Sequence, residues 1–502
     1  MSAIPKHVER GVPSSIHSTP RFPLIQHCCP VFDDPFELFG RVTGYAPHSF
    51  FMEHDAVQEG AVRRFSYLGF DPYRVVRGKG HTYETISGDK KEKYIGDPFA
   101  MLQRTFEGQT AVSWPHLPPF QGGAIGCFSY DLVRRFEVLP ELLRDDLHFP
   151  DLYFLFVEMF VVVDDHAPGA WLMFAPSPDR LAAESWDHLY REGQARLSGL
   201  RAKIMIPENL PTRMHSAMSS LRIQGEQSSL EYVDRVRACQ HFIAAGDIYQ
   251  ANLSHRFRLE GVTHGFASQA EAGADLYRQL RKVNSSPHSA FLVLESDVIV
   301  CNSPERLVRL SEGYADMRPI AGTRPRGIEP QNDRCLAEEL LSCPKERAEH
   351  LMLVDLARND LGRVCDYGSV RVNELMTVER YSHVMHMVSQ ISGRLRDSYH
   401  GFDLIRATFP GGTITGVPKV HCMELIEQLE PVRRGIYTGS IGFIGWNGNL
   451  DLNIAIRTLW LTEGQGFLQV GAGIVADSDP NREYEETLQK AKAFFQVLQG
   501  IH

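Results

Sequence analysis

Short apolar runs, closely punctuated by Gly and Pro, point to antiparallel sheets as the frame of this chain. From about Phe32 to Ala175 the runs recur in a strand-rich pattern. Gly122-Gly123-Ala124-Ile125-Gly126 reads as a strand that another backbone approaches closely. Later, Leu253, His255, Phe257 and Leu259 alternate with Asn252, Ser254, Arg256 and Arg258, the period of a half-buried strand. Two more strands are predicted at Ala290–Leu294 and Val298–Cys301. Leu307–Leu310 and Ala315–Ile320 flank Ser311-Glu312-Gly313 as a hairpin. Strands return around 437–446, 451–460 and 467–470. Helical signals lie at about 179–200, 335–341, 346–358 and 482–499. Another helix starts at Ser229 as its cap, buries Val233, Val236 and Ile243, and stops at Gly246. Hairpin-linked strands with helical excursions define an α+β class, a sandwich of antiparallel β-sheets with helices on the outside.

With 502 residues the chain has length for two or three domains. We divide it into a flexible tail (1–25), a strand-rich region (26–201), a linker (202–227) and a second half (228–502). The net charge of −10, without a basic tract, argues against nucleic acid or an anionic membrane as partner. Nine scattered cysteines, an odd number with no Cys-x-x-Cys, read as reduced thiols of a cytoplasmic protein. The most apolar run, Tyr153 to Val163, is interrupted by Glu158 and too short to span a bilayer.

Two Glu-x-x-Glu steps lie far apart, Glu346/Glu349 and Glu483/Glu486, both in helix-like sequence. A spacing of three puts each pair on one helix face. Four carboxylates brought together would repel unless a cation sits among them, and hard oxygen ligands favour Mg²⁺.

Several ordered strings share the second half. They are Gly246-Asp-Ile-Tyr-Gln-Ala-Asn-Leu253, Ser303-Pro-Glu-Arg306 and Arg318-Pro-Ile-Ala-Gly-Thr-Arg-Pro-Arg-Gly327. Next come Lys345-Glu-Arg-Ala-Glu-His-Leu-Met352, Asp355-Leu-Ala-Arg-Asn-Asp360 and Tyr381-Ser-His-Val-Met-His386. The last are Gly411-Gly-Thr-Ile-Thr-Gly-Val-Pro-Lys419, Ile454-Ala-Ile-Arg457 and Gly471-Ala-Gly-Ile-Val-Ala-Asp-Ser478. Together they resemble the chorismate-utilising enzymes, the family of anthranilate synthase component I and aminodeoxychorismate synthase component I. The resemblance covers nearly all of 230–500 and implies that 228–502 is a chorismate-binding catalytic domain of the anthranilate-synthase type. The Gly-x-Gly at 471–473 lacks a third glycine, and 411–419 lacks Gly-Lys-Ser/Thr, so neither is a nucleotide motif.

The resemblance assigns roles residue by residue. Glu349 and Glu486 match the positions that hold Mg²⁺, with Glu346 and Glu483 in support. Glu305 matches the general acid that protonates the departing hydroxide, and burial would raise its pKa to suit. Gln250 replaces the lysine of relatives that add water, so the nucleophile implied is ammonia, which needs no base. Tyr437, Arg457 and a Gly471-Ala472-Gly473 turn match the grip on the enolpyruvyl carboxylate. Gly322, Thr323 and Thr413 match substrate contacts, and His386 the histidine near ring and leaving group. Lys490, one turn beyond Glu486, is placed to pair with the substrate carboxylate or the Glu cluster.

Three strings favour the aminodeoxychorismate branch, which leads to p-aminobenzoate and folate: Tyr249-Gln-Ala-Asn-Leu253, Gly439-Ser-Ile-Gly442 and Gly411-Gly-Thr-Ile-Thr-Gly416. Ala321 opposes it, because many members of that branch carry a nucleophilic lysine there. Anthranilate synthase is therefore the alternative. A water-adding enzyme is opposed by Gln250, and a non-catalytic binding paralogue by retention of acid and metal ligands together. His54, in Phe51-Met-Glu-His54, replaces the serine of tryptophan-sensing relatives, so tryptophan feedback is not expected. Without a visible glutaminase nucleophile, ammonia is expected from a separate glutamine amidotransferase subunit.

Overall fold

The computed structural model describes residues 22–499 except 31, 33, 59–60, 109–112, 115, 207–220, 284–285, 328 and 382–383. Its strands form two antiparallel sheets. The first runs, edge to edge, β1 (Leu24–Cys28), β10 (Ala170–Phe174), β9 (Met159–Asp164), β3 (Ala61–Gly69) and β2 (Ser49–Gln58). It continues through β13 (His288–Val293), β14 (Val298–Ser303), β23 (Thr458–Thr462), β24 (Gln465–Ile474), β12 (Gln250–Glu260) and β11 (Arg222–Gly225), with β20 (Gly416–Val417) beside β12. The second sheet runs β17 (Ile320–Pro325), β19 (Val384–Arg394), β16 (Tyr314–Met317), β15 (Arg306–Ser311), β22 (Leu450–Asn453) and β21 (Ser440–Gly445). Then come β7 (Gly123–Phe128), β8 (Leu152–Val157), β4 (Arg74–Lys79), β5 (Thr82–Ser87) and β6 (Lys90–Ile95), with β18 (Arg371–Arg380) on β19.

The first helices are α1 (Pro35–Thr43), α2 (Pro98–Phe106), α3 (Pro178–Ala183), α4 (Trp186–Met205), α5 (Ser229–Ala245) and α6 (Gln269–Val283). They are followed by α7 (Pro330–Ser342), α8 (Pro344–Gly362), α9 (Gly401–Thr408), α10 (Lys419–Leu429) and α11 (Pro480–Gln499). The alternation of side chains along β2 shows how the layers form. Phe50 and Met52 face the inter-sheet core with Ile125, Leu155, Leu292 and Phe443. Phe51 points the other way, under α1 and α6, with Phe36, Phe39 and Tyr277. A third cluster, including Leu307, Leu361, Ile405 and Leu452, fills the space between the second sheet and α8 and α9. This is the expected α+β sandwich.

Local departures from the sequence reading have identifiable causes. The cap of α5 is Ser228 rather than Ser229, because only Ser228 closes a reciprocal box with Glu231 three residues on. The run at 153–163 is two strands, β8 and β9, in different sheets. Buried Glu158 stands at the crossing and accepts hydrogen bonds from Ser177 N, Arg180 and Arg196. Likewise 451–460 divides into β22 and β23, and Tyr437 precedes β21 rather than lying in it. The hairpin strand ends at Met317 because Pro319 has no N–H to give. The segments beyond it, β17, β18 and β19, were not anticipated.

Each half of the chain contributes a contiguous part of both sheets. The halves are joined by β2 on β13 and by β7 on β21. Of the expected tail, residues 1–21 lie outside the described residues, while Leu24 and Ile25 already belong to β1. Of the expected linker, 207–220 lies outside them, α4 continues to Met205 and β11 occupies its far end. The nine cysteines are free thiols. Among the described residues, no helix is long and apolar enough to cross a membrane.

Candidate active site

Two of the places where the second half crosses between sheets lie side by side. One is Pro304-Glu305, between β14 and β15, and the other is Ile454–Arg457, between β22 and β23. They are hydrogen-bonded to each other: Ile454 N donates to Glu305 O at 3.0 Å, and Asn302 N donates to Arg457 O at 3.0 Å. Arg457 takes a left-handed backbone (φ 50°), which few residue types adopt without a tertiary reason. Glu305 and Arg457 are thus set by the fold's own corners.

Glu305 is 6% exposed. Thr413 Oγ1 donates to its Oε1 at 2.8 Å. Burial pushes its carboxyl up to about 7, against the Thr413 hydrogen bond, the Ile320 backbone and the positive charges of Lys490 and Arg457. Burial is also the main cause that holds His386 down at about 4, so its imidazole is neutral. His386 Nδ1 lies 3.0 Å from Thr323 Oγ1, its register partner across β17 and β19. Ala321 sits on the same strand opposite Met387. Gly322 has φ 75°, a backbone that strains any side chain, and a Cβ there would press on Leu340 Cδ1 at 2.8 Å and Glu346 Oε2 at 2.9 Å.

Gln250 opens β12, and its Oε1 is buried with no hydrogen-bond partner among the described residues; so is Asn252 Oδ1 two residues on. Both face β24, and this corrects an expectation: 471–473 is strand interior, not a turn. Ser254 pairs with Gly471, and Asn252 with Gly473. A Cβ at Gly471 would come within 2.5 Å of both Asn252 Oδ1 and Tyr437 Oη, and one at Gly473 within 2.6 Å of Gln250 Nε2. Ala472 points to the opposite face, into a core cluster with Leu253 and Cys422, because strand side chains alternate.

The starts of the two Glu-x-x-Glu helices come near each other through side chains. Lys345 Nζ, at the start of α8, lies 3.2 Å from Asp477 Oδ1, just before α11. Burial first, then Glu346, Asp477 and Glu483, raise the Glu349 carboxyl to about 7 against the pull of Lys345. Burial and Glu486 raise Glu483 in turn. Arg324 pairs with Glu346 at 3.1 Å. Lys490 Nζ lies 2.7 Å from Glu486 Oε1 and donates to Gly471 O at 2.7 Å, so it bridges the acidic cluster to the glycine strand. No three of these four glutamates bring oxygens within 4.8 Å of one another.

A separate trio, His54, His288 and Asp451, is buried between the sheets, with His54 Nε2 3.1 Å from Asp451 Oδ2. Arg306 Nε already donates to both oxygens of Asp451. A further cation there would face Arg306 and Arg309, so the trio is a packed structural network.

Residues 53–496 match the family model described as chorismate binding enzyme. This chain belongs to the chorismate-binding enzyme family. Relatives of both branches lie at similar distance. The chain is 42% identical over 448 residues to aminodeoxychorismate synthase component 1 of Bacillus subtilis (strain 168), covering 89% of this chain and 92% of the relative. It is 41% identical over 469 residues to anthranilate synthase component 1 of Thermus thermophilus, covering 93% and 96%. The crystal structure of anthranilate synthase component I from Streptococcus pneumoniae superposes with a TM-score of 0.74 at 32% identity, covering 88% of this chain and 94% of that one. As a chorismate-binding enzyme of the aminodeoxychorismate and anthranilate synthase type, the chain has chorismate as its substrate.

Sequence reasoning missed what holds this site. Glu430 and Arg434 form a fully buried pair behind it. Their spacing of four is a faint signal, weakened by Pro431 between them. The hydrogen bond that Thr413 Oγ1 donates to Glu305 was also missed; the hydroxyl oxygen still has lone pairs to offer a substrate.

Proposed function

We propose that this enzyme aminates chorismate to 4-amino-4-deoxychorismate, taking ammonia from a glutamine amidotransferase subunit. The observation that carries the reading is Glu305: a buried carboxyl near pH 7 in its ionisation, facing Arg457 and Lys490. Hydroxide leaves poorly at neutral pH, and a protonated Glu305 converts it to water. The ring then accepts ammonia through its lone pair while Glu305 is left as carboxylate. Gln250 supports amination over hydration, since its Oε1 has no partner among the described residues and suits an N–H of ammonia. Arg457 and the open backbone of Gly471 and Gly473 suit the enolpyruvyl carboxylate. Neutral His386, tied to Thr323, suits contact with the substrate's ring and leaving group.

Glu346, Glu349, Glu483 and Glu486 would hold Mg²⁺. The fit rests on the hard oxygen donors and on the crowding that raises Glu349 and Glu483, which a divalent ion relieves. When bound, the ion supplies electron withdrawal at the ring carboxylate. The second reading, anthranilate synthase, is favoured by one observation, Ala321 in place of a nucleophilic lysine.

Purified protein given chorismate, ammonium and Mg²⁺ should consume chorismate, and Glu305→Gln should not. Intact mass during turnover should reveal no adduct at residue 321; a covalent chorismate-derived adduct anywhere on the chain would contradict the mechanism. His54 lies buried against Asp451, so a tryptophan isotherm should stay flat; micromolar binding with inhibition would reverse that reading.

A further inference from the structure

We infer that Thr413 is a positioning residue whose hydroxyl fixes the Glu305 carboxyl, and that the buried Glu430–Arg434 pair locks the turn presenting it. The inference rests on Glu305 as the proton donor of the proposed function. Thr413 lies in the short 3₁₀ turn Gly412–Ile414, and its Oγ1 donates to Glu305 Oε1 at 2.8 Å. A carboxyl oxygen that accepts a hydroxyl hydrogen is the poorer place for the acid's own proton. The hydroxyl thereby biases the acid's proton toward Oε2.

The turn has little freedom. A Cβ at Gly412 would lie 2.1 Å from Leu356 Cδ2 on α8. Thr415 Oγ1 donates to Gly411 O at 2.9 Å, and Asn252 N donates to Thr415 O at 2.9 Å. Arg434 Nη1 donates to Ile414 O at 2.8 Å, and its Nη2 donates to Asn252 O at 2.8 Å. Glu430 receives Arg434 through both oxygens, at 2.7 and 3.0 Å, and also takes Ser254 N at 2.9 Å. Both side chains are 0% exposed. Burying two charges is costly, and such a pair is retained where its geometry and hydrogen bonds are complete. Here those bonds reach two separate walls of the site, the 411–415 turn and β12. A pair serving only its own segment would not join them.

The other groups facing Glu305 are known. Arg457 and Lys490 act across the site, and the Ile320 backbone favours the ionised form from β17. Arg306, Arg318 and Asp360 line the narrow cavity on its other side. Thr413 opposes burial by favouring the ionised form, so losing it should let the acid's midpoint climb.

Difference infrared spectroscopy of the full-length protein across pH reads the Glu305 carboxyl directly, with Glu305→Gln as the blank. Thr413→Val, which keeps shape and deletes the donor, should raise the midpoint by about one pH unit, and Thr413→Ser should restore it. Arg434→Lys keeps the charge but loses the fork, and should move it the same way by less. In steady-state kinetics Thr413→Val should lower kcat by about tenfold with KM nearly unchanged. A midpoint unmoved in Thr413→Val, or a raised KM with kcat intact, overturns the inference and returns Thr413 to substrate binding. Should the wild type fail to consume chorismate, the proposed function falls while the infrared midpoint still decides what Thr413 does.

Discussion

At the scale of single residues, Glu305 sets the pH dependence. Its carboxyl, ordinarily ionised above 4.5, keeps its proton to about 7 because it is buried. A proton donor works in its protonated form, so kcat at constant free ammonia should hold below about 7 and fall as pH rises through it. A pH–rate profile checks the sign; a rate that rises across this range would contradict the role. Glu305→Gln should cost about 10²–10⁴-fold in kcat. Gly471 offers a test of the glycine strand. An added Cβ would press on Asn252 Oδ1, Tyr437 Oη and the Leu253 carbonyl. Gly471→Ala should therefore raise KM for chorismate at least about tenfold, roughly 1.4 kcal/mol, in steady-state assays.

At the scale of elements, the helices α8 and α11 matter through their first turns. Glu349 and Glu483 each carry a raised carboxyl because burial and neighbouring carboxylates act on both. Without Mg²⁺, Glu349→Gln should raise the melting temperature by about 1–3 °C, since one repelling charge is gone. Millimolar Mg²⁺ should stabilise the wild type and leave this variant unmoved. Differential scanning calorimetry with and without the ion checks both. Both Glu-x-x-Glu steps were legible because a spacing of three needs only a helix to align it. β12 was legible because its alternation runs unbroken across Leu253–Leu259. β17 to β19 were not: His386 and its neighbours alternate weakly, and β18 is irregular, with register shifts against β19. The meeting of Glu305 with Thr413 was hidden too, since 108 residues separate them and only the Arg434-held turn brings them together.

At the scale of the molecule, the chain's two halves are not separable layers. β2 pairs with β13 in one sheet and β7 with β21 in the other, so removing either half exposes two long strand edges and the inter-sheet core. Residues 221–502 expressed alone should show no cooperative unfolding by circular dichroism, and co-expression with 1–220 should restore it. A stable, cooperative fragment would mean the second half is self-sufficient. The same shared sandwich sets the two crossings that carry Glu305 and Arg457, and with them the chemistry. The central claim, amination with retention of the enolpyruvyl group, has a direct test. Products from ¹⁵N-ammonium, Mg²⁺ and chorismate are resolved by mass spectrometry. The account expects one ¹⁵N in place of the ring hydroxyl, the enolpyruvyl ether intact and no pyruvate released. Labelled anthranilate with an equal amount of pyruvate would contradict it.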